Sequence, residues 1–264
     1  MRKIIKQLLV TGLVIYLPLT SMAWGMLGHR IVGEIADSYL TPHARAEIKK
    51  ILGNESIALS STWADFIKSD SAYKYLNTWH YIDFDEDMAY DKMVSYLKKD
   101  TAADAYTKIN FLVKELKKKN LPADKKKMYL RLLIHIVGDI HQPLHVSHSG
   151  DMGGNDIKIT WFGQNSNLHR LWDEQLIQEQ QLSFSEYTKA INYTTAKERQ
   201  VLQKQPITKW LFDSYQISQQ LHAEIKEPNP KLGFLYNYQH IDTLNKQLVK
   251  AGVHLAGLLN AIFG

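Results

Sequence analysis

Apolar residues recur at helical spacing through most of the chain. The pattern runs from Leu27 to Leu40, His43 to Leu52, Tyr106 to Leu116, Lys125 to Ile140, Ile207 to Ile225 and Ile241 to Ile262, and each stretch is predicted to be a helix that buries one face. In the fourth, Leu130, Leu133, Ile134, Val137 and Ile140 share that face. Thr41-Pro42 reads as a helix start with proline in the first turn, whereas Asn120-Leu121-Pro122 and Pro228-Asn229-Pro230 read as loops. The period changes between Gly150 and Asn167, where Asp156 to Trp161 alternate and are rich in strand formers. One short β-hairpin is predicted there, near residues 155–163. The expected fold is all-α, a multi-helix bundle carrying that hairpin. No internal repeat, low-complexity tract or interdomain linker is evident.

The start of the chain follows another pattern. Arg2, Lys3 and Lys6 precede an apolar stretch from Leu8 to Leu19, and Ser21-Met22-Ala23 offers small residues for cleavage, the layout of a secretory signal. Thr11, Gly12 and Pro18 interrupt the stretch, which is also shorter than the roughly 20 residues a spanning helix needs. The expectation is removal of residues 1–23, a mature chain beginning at Trp24, and a single domain over 24–264. Such a chain is expected to be secreted or periplasmic, without stable membrane association, and a monomer is favoured.

Composition narrows the chemistry. The formal net charge of +5, part of it in the leader, is too mild to single out a polyanionic partner. Cysteine is absent, which excludes a disulfide framework and any thiolate metal site. A metal held by this chain must sit on nitrogen and oxygen.

The segment His135-Ile-Val-Gly-Asp139-Ile-His141-Gln-Pro143-Leu-His145 offers such donors. His135 and Asp139, four apart on a predicted helix, share a face about 6 Å apart. Pro143 should end or bend that helix and bring His145 to the same place from another direction. Asn167-Leu-His169-Arg-Leu-Trp172-Asp173 repeats the His/Asp spacing. Further candidates are Asp65 in Thr62-Trp-Ala-Asp-Phe-Ile-Lys68, His80 in Asn77-Thr-Trp-His-Tyr-Ile-Asp83, and His29 shortly after Trp24. A lone histidine among apolar neighbours is more often a hydrogen-bonded core residue; the joint pattern reverses that reading.

The order of these segments resembles the zinc-dependent single-strand-specific nuclease and 3′-nucleotidase family of fungi, plants and bacteria. The resemblance in residues runs from Trp24 to Asp173, and beyond that it is one of helical architecture. It implies three zinc ions per chain. One would be bound by Asp65, His80, His135 and Asp139, a second by the amine and carbonyl of Trp24 with His29 and the shared Asp139, and a third by His145, His169 and Asp173. Imidazole and carboxylate are suitable zinc donors, and three protein ligands leave a position open for water or substrate. The resemblance further implies catalytic roles for Asp65, Lys68, Asp139 and Asn155, with Lys68 adding positive charge near the phosphate. It implies a nucleobase stacked on Tyr81, the base edge met by Asp83, and a phosphate-side contact from Asn155. The implied activity is hydrolysis of single-stranded DNA and RNA to 5′-phosphorylated products, with 3′-nucleotidase activity; the implied partners are single strands and 3′-nucleotides. Removal of the leader acquires a chemical purpose, because only a mature Trp24 carries a free amine for a metal.

Two other readings share parts of the pattern. A zinc-dependent phospholipase C has a similar architecture and also uses an N-terminal tryptophan, but glutamate is expected there where Asp173 stands, and Tyr81 with Asp83 suits a base better than a lipid headgroup. A non-catalytic secreted zinc-binding protein would use closed sites rather than the open His145/His169/Asp173 set. Fold by itself does not choose among them. His141, His148, His222, His240 and His254 receive no ligand role.

Overall fold

The computed structural model describes residues 24–84 and 87–264, so the leader expected over residues 1–23 lies outside the described part. The helices are α1 (Met26–Ser38), α2 (Pro42–Leu52), α3 (Ile57–Ser60), α4 (Trp63–Ile67), α5 (Tyr90–Leu97), α6 (Ala105–Leu116), α7 (Ala123–Asp139), α8 (Leu168–Arg170), α9 (Leu176–Gln178), α10 (Phe184–Ile191), α11 (Ala196–Gln203), α12 (Ile207–Glu224) and α13 (Phe234–Phe263). Turns of 3₁₀ helix cover Ser71–His80 and Pro143–His145, and a π-helical turn over Leu171–Gln175 joins α8 to α9. The strands are β1 (Ile82–Phe84), β2 (Val146–His148), β3 (Lys158–Trp161), β4 (Gln164–Asn167) and β5 (Lys231–Leu232). The all-α expectation holds.

Five of the six periodic stretches become helices within two residues of their expected ends, whereas α13 begins earlier, directly after Gly233. Its first turns carry the exposed Phe234, Leu235 and Tyr238, which lack the one-sided pattern that marks the rest. The short α10 and α11 have no long apolar period, but each opens on a reciprocal cap, Ser183 with Glu186 and Thr195 with Glu198. That S/T-x-x-E signature is legible in sequence.

At the centre lies α7. Every residue from Leu132 to Asp139 is buried, not just the one face expected. A helix buried on all sides belongs in the middle of a bundle, and α7 is surrounded by α1, α2, α3, α4, α6 and α13. The long α13, about 45 Å at 1.5 Å per residue, packs along α1 and against α2, α7 and α11. At Gly252 the approach to α1 is so close that a β-carbon would stand 2.4 Å from Ile35 Cγ2. Among the described residues no helix is long and apolar enough to cross a membrane.

The predicted hairpin is present as antiparallel β3–β4, with β5 parallel on the other side of β3. Its turn falls at Phe162-Gly163, both with positive φ, the geometry that matches the twist of tightly linked strands. The hairpin therefore occupies 158–167 rather than 155–163; residues 155–157 belong to the preceding loop. A second small sheet pairs β1 with β2 in parallel, Ile82 opposite Val146 and Phe84 opposite His148. Because β1 follows His80 and β2 follows His145, this pairing sets two predicted ligands side by side.

Candidate metal centre

The eight predicted histidine and aspartate ligands converge into two adjoining buried clusters. The first contains His29 from α1, Asp65 from α4, His80 at the end of the first 3₁₀ turn, and His135 and Asp139 from α7. His29 Nε2 lies 3.2 Å from Asp139 Oδ1. The other oxygen, Asp139 Oδ2, is 2.9 Å from His80 Nδ1 and 3.3 Å from His135 Nε2. Asp65 completes the group, with Oδ1 3.7 Å from His135 Nε2 and Oδ2 3.9 Å from His29 Nε2. The second cluster joins His145 to His169 and Asp173, whose oxygens stand 3.7 and 3.1 Å from the two Nε2 atoms. His169 and Asp173 meet where α8 passes into the π-helical turn; such turns are frequent at functional sites, and nothing in the residue pattern announces this one.

Main-chain carbonyls set the orientation of the imidazoles. His135 donates its Nδ1–H to Ser61 O at 2.6 Å, His145 to His80 O at 2.8 Å, and His169 to Gly153 O at 2.7 Å. Holding the proton on Nδ1 turns the Nε2 lone pair inward, the second-layer arrangement that fixes a metal-binding tautomer. Gly153 can present its carbonyl because it adopts φ of +61° and because a β-carbon there would lie 2.3 Å from Leu144 O. No other residue type fits.

Electrostatics favour ligand forms in the first cluster. Burial would raise the Asp65 carboxyl, but His135, Lys68, His29 and His80 outweigh it and hold it at about 2. The same contest, decided by His135, His29 and His80, leaves Asp139 well below the usual carboxylate range. Burial pushes His135 down to about 3 and also lowers His80. Neutral imidazoles thus face anionic carboxylates. In the second cluster burial again opposes charge on His145, but the nearby carboxylates of Asp173 and Asp139 and the His80 carbonyl raise it to about 9.

Several inward atoms, His29 Nε2, Asp65 Oδ2, Asp139 Oδ1, His145 Nε2 and His169 Nε2, are buried without a hydrogen-bond partner. Unpartnered buried polar atoms are costly and uncommon, and donors of this type gathered from four helices, two 3₁₀ turns and the π-helical turn fit a metal. Three groups are close enough to hold an ion: His29/Asp65/His135, His80/His135/Asp139 and His145/His169/Asp173. The residues present therefore suit zinc, whose usual donors they are.

The remaining predicted residues border this centre. Trp24 is fully buried and packs on Gly28; a β-carbon on Gly138 would stand 3.0 Å from His29 Nδ1 and 3.8 Å from Trp24 Cδ1, which puts Trp24 beside the first cluster. Lys68 Nζ lies 2.8 Å from Asp65 Oδ1. Along β1, Ile82 and Phe84 are buried, Asp83 is half-buried, and Tyr81 is 40% exposed. Strand alternation therefore turns Tyr81 and Asp83 to one open side. Asn155 follows the left-handed run Met152-Gly153-Gly154, and its amide donates to Met152 O at 2.9 Å.

One residue of the site was missed from sequence. Gln142, fully buried, donates from Nε2 to Asp173 Oδ1 at 2.5 Å and accepts the Leu144 N–H on Oε1 at 2.5 Å, so it orients Asp173 and caps the turn bearing His145. Its signal was its place between Asp139 and His145, where an uncharged polar residue needs buried partners. His141, by contrast, points away, donating to Val137 O and meeting His254 at 2.7 Å.

A family model described as S1/P1 nuclease matches residues 24–264. Among curated relatives, Endonuclease 3 of Arabidopsis thaliana is 27% identical over 92% of this chain and 90% of its own length. Nuclease P1 of Penicillium citrinum is 29% identical over 91% of this chain and 98% of its own, and Nuclease S1 of Aspergillus oryzae is 33% identical over 59% and 55%. With buried His/Asp groups fit for zinc and a match over the whole described chain, the protein belongs to the zinc-dependent S1/P1 nuclease family and is an enzyme that hydrolyses phosphodiester bonds.

Proposed function

We propose that the enzyme cleaves single-stranded DNA and RNA to 5′-phosphorylated products, acts on 3′-nucleotides as well, and holds three zinc ions as it does so. The observation that carries this reading is the divergence of the Asp139 oxygens, Oδ1 toward His29 and Oδ2 toward His80 and His135, beside inward atoms without a hydrogen-bond partner. One carboxylate can then serve two ions, the first with Asp65, His80 and His135, the second with His29 and the Trp24 amine and carbonyl. His145, His169 and Asp173 would hold the third. Zinc bound at these residues supplies Lewis acidity to phosphoryl oxygens and brings the pKa of water toward 7.

The chain's own residues do the positioning. Lys68, held by Asp65 at the mouth, adds a fixed positive charge where the phosphate gains negative charge, which favours the transition state over the ground state. Asn155 stands ready on the phosphate side, fixed by the loop that also orients His169. Tyr81 offers an exposed ring to a base and Asp83, on the same side, an acceptor to its edge. Stacking of this kind contributes about 1–3 kcal/mol per base and needs an unpaired base. The Trp24 amine becomes available once residues 1–23 are removed, so the reading includes secretion or periplasmic export of a single domain over 24–264.

The experiment is hydrolysis of single-stranded DNA, single-stranded RNA, duplex DNA and phosphatidylcholine by the zinc-loaded protein, each with and without chelator. Chelator-sensitive cleavage of single strands to 5′-phosphorylated products is expected. Hydrolysis of lipid alone would move the enzyme to a phospholipase C activity, and preference for duplex would remove the stacking role of Tyr81.

A further inference from the structure

The mild net charge conceals a strong local asymmetry. Between Ala105 and Arg131, the hairpin of α6 and the start of α7 carries nine lysines and arginines against two acids, Glu115 and Asp124. That local excess is larger than the +5 of the whole chain, so the remainder is acidic on balance. Lys114, Lys117, Lys118, Lys119 and Lys125 are exposed. So dense a run repels itself and contributes nothing to the core, which α6 reaches through Ile109, Leu112 and Leu116.

Aromatic faces lie among these charges. Phe111 and Tyr75, 38% and 53% exposed, both meet the buried Trp79 edge to face, at ring-centre distances of 6.4 and 5.8 Å. Lys108 lies 5.0 Å from the Trp79 ring centre and 5.9 Å from that of Phe111. The surface is continuous with the metal centre: Trp79 immediately precedes His80, and Ala105 N–H donates to Tyr81 O at 3.0 Å. From that bond α6 continues for its twelve residues, roughly 18 Å.

We infer that the outer face of α6 and its lysine-rich loop form a track for the part of a single strand that lies outside the metal centre. Phosphates meet Lys114, Lys117 and Lys119, and bases stack on Phe111 and Tyr75. Basic side chains interleaved with ring faces are the combination that holds single strands without reading their sequence. The charge supplies affinity through counterion release and makes it salt-dependent. The inference rests on the single-strand reading of the metal centre.

The test measures binding of labelled, hydrolysis-resistant phosphorothioate strands of three and twenty thymidines by the zinc-loaded enzyme across a salt series. It compares the wild type with Lys114→Gln/Lys117→Gln/Lys119→Gln and with Phe111→Ala, and it follows turnover of a thymidine dinucleotide, too short to span from the metal centre to the lysines at the far end of α6, as the measure of an intact centre. The triple variant is expected to bind the long strand roughly tenfold more weakly at low salt and to lower the salt slope by about two, since each phosphate contact on a single strand contributes about 0.7. Phe111→Ala should weaken binding severalfold with the slope unchanged. Short-strand binding and dinucleotide turnover should stay as in the wild type.

An unchanged long-strand affinity and slope in the triple variant would overturn the inference. So would an equal loss on both lengths, or tighter lysine-dependent binding to phosphatidylserine vesicles than to the long strand. Lysine-dependent binding of the long strand by a wild type that fails to hydrolyse single strands would defeat the activity proposed above and leave the track supported.

Discussion

Two consecutive helices of one hairpin carry opposite assignments. In α7 the C-terminal half is wholly buried and brings His135 and Asp139 into the centre of the bundle. In α6 one apolar stripe is buried, and the remaining surface is basic and aromatic. Chemistry needs the first arrangement, because ligand atoms must be held without water competing for them and at fixed tautomer. Recruitment of a long charged strand needs the second, where side chains can reach and release phosphates. Neighbouring helices thus separate the making of the site from the gathering of its substrate.

The comparison breaks first at α7. Asp139→Asn removes the charge whose two oxygens face different histidines, and kcat on single-stranded DNA is expected to fall by at least about a thousandfold, roughly 4 kcal/mol of barrier. Activity near that of the wild type would remove Asp139 from its bridging role. A smaller effect is expected where the chain leaves α7. Gln142→Ala leaves Asp173 without its orienting donor, and loss of such a partner typically weakens metal affinity 10–100-fold. Zinc content after dialysis against a graded chelator should show one ion released early and the others retained. Simultaneous release of all zinc would mean that Gln142 supports the whole fold, not the second cluster.

What was legible beforehand divides along the same line. The helix spacing of His135 with Asp139 and of His169 with Asp173 is a local regularity, and the two side chains of each pair do meet. The periodic stretches led to α1, α2, α6, α7 and α12 for the same reason. Non-local features were beyond reach. The carbonyls of Ser61, His80 and Gly153 that orient three imidazoles carry no residue signature, and the parallel pairing of β1 with β2 joins segments more than sixty residues apart. The basic run of α6 was visible, but its meaning depended on Trp79, Phe111 and Tyr75 coming together beside it.

At the boundary of the two regions, Tyr81→Ala should raise KM on oligonucleotides about tenfold with kcat little changed, because stacking binds ground state and transition state alike. Steady-state kinetics on homopolymers of each base check this. An equal fall in kcat with KM unchanged would make Tyr81 part of the reaction geometry instead of the binding surface.

The smallest effect concerns how α6 begins. Asp104 caps the helix, its side chain accepting Thr107 N–H at 2.9 Å, while burial and the neighbouring Asp100 push its carboxyl up to about 7 from an ordinary 3.8. A carboxyl raised in the fold is favoured there in its protonated form. The stabilisation is therefore full below pH 3.8 and is lost as pH rises through about 7, where two ionised carboxylates face each other. Asp100→Asn removes one of them and keeps an oxygen for the Ala102 N–H that Asp100 now accepts at 2.8 Å. At pH 8 the variant is expected to be more stable by about 1 kcal/mol, a figure reduced for solvent screening of partly exposed groups. That corresponds to about 2–4 °C in Tm for a chain of this size. Near pH 4 the two melts should coincide, because Asp104 is already protonated in the wild type. A gain of the same size at both pH values would assign the effect to the amide itself and leave the cap of α6, and with it the Ala105 bond to Tyr81, indifferent to charge.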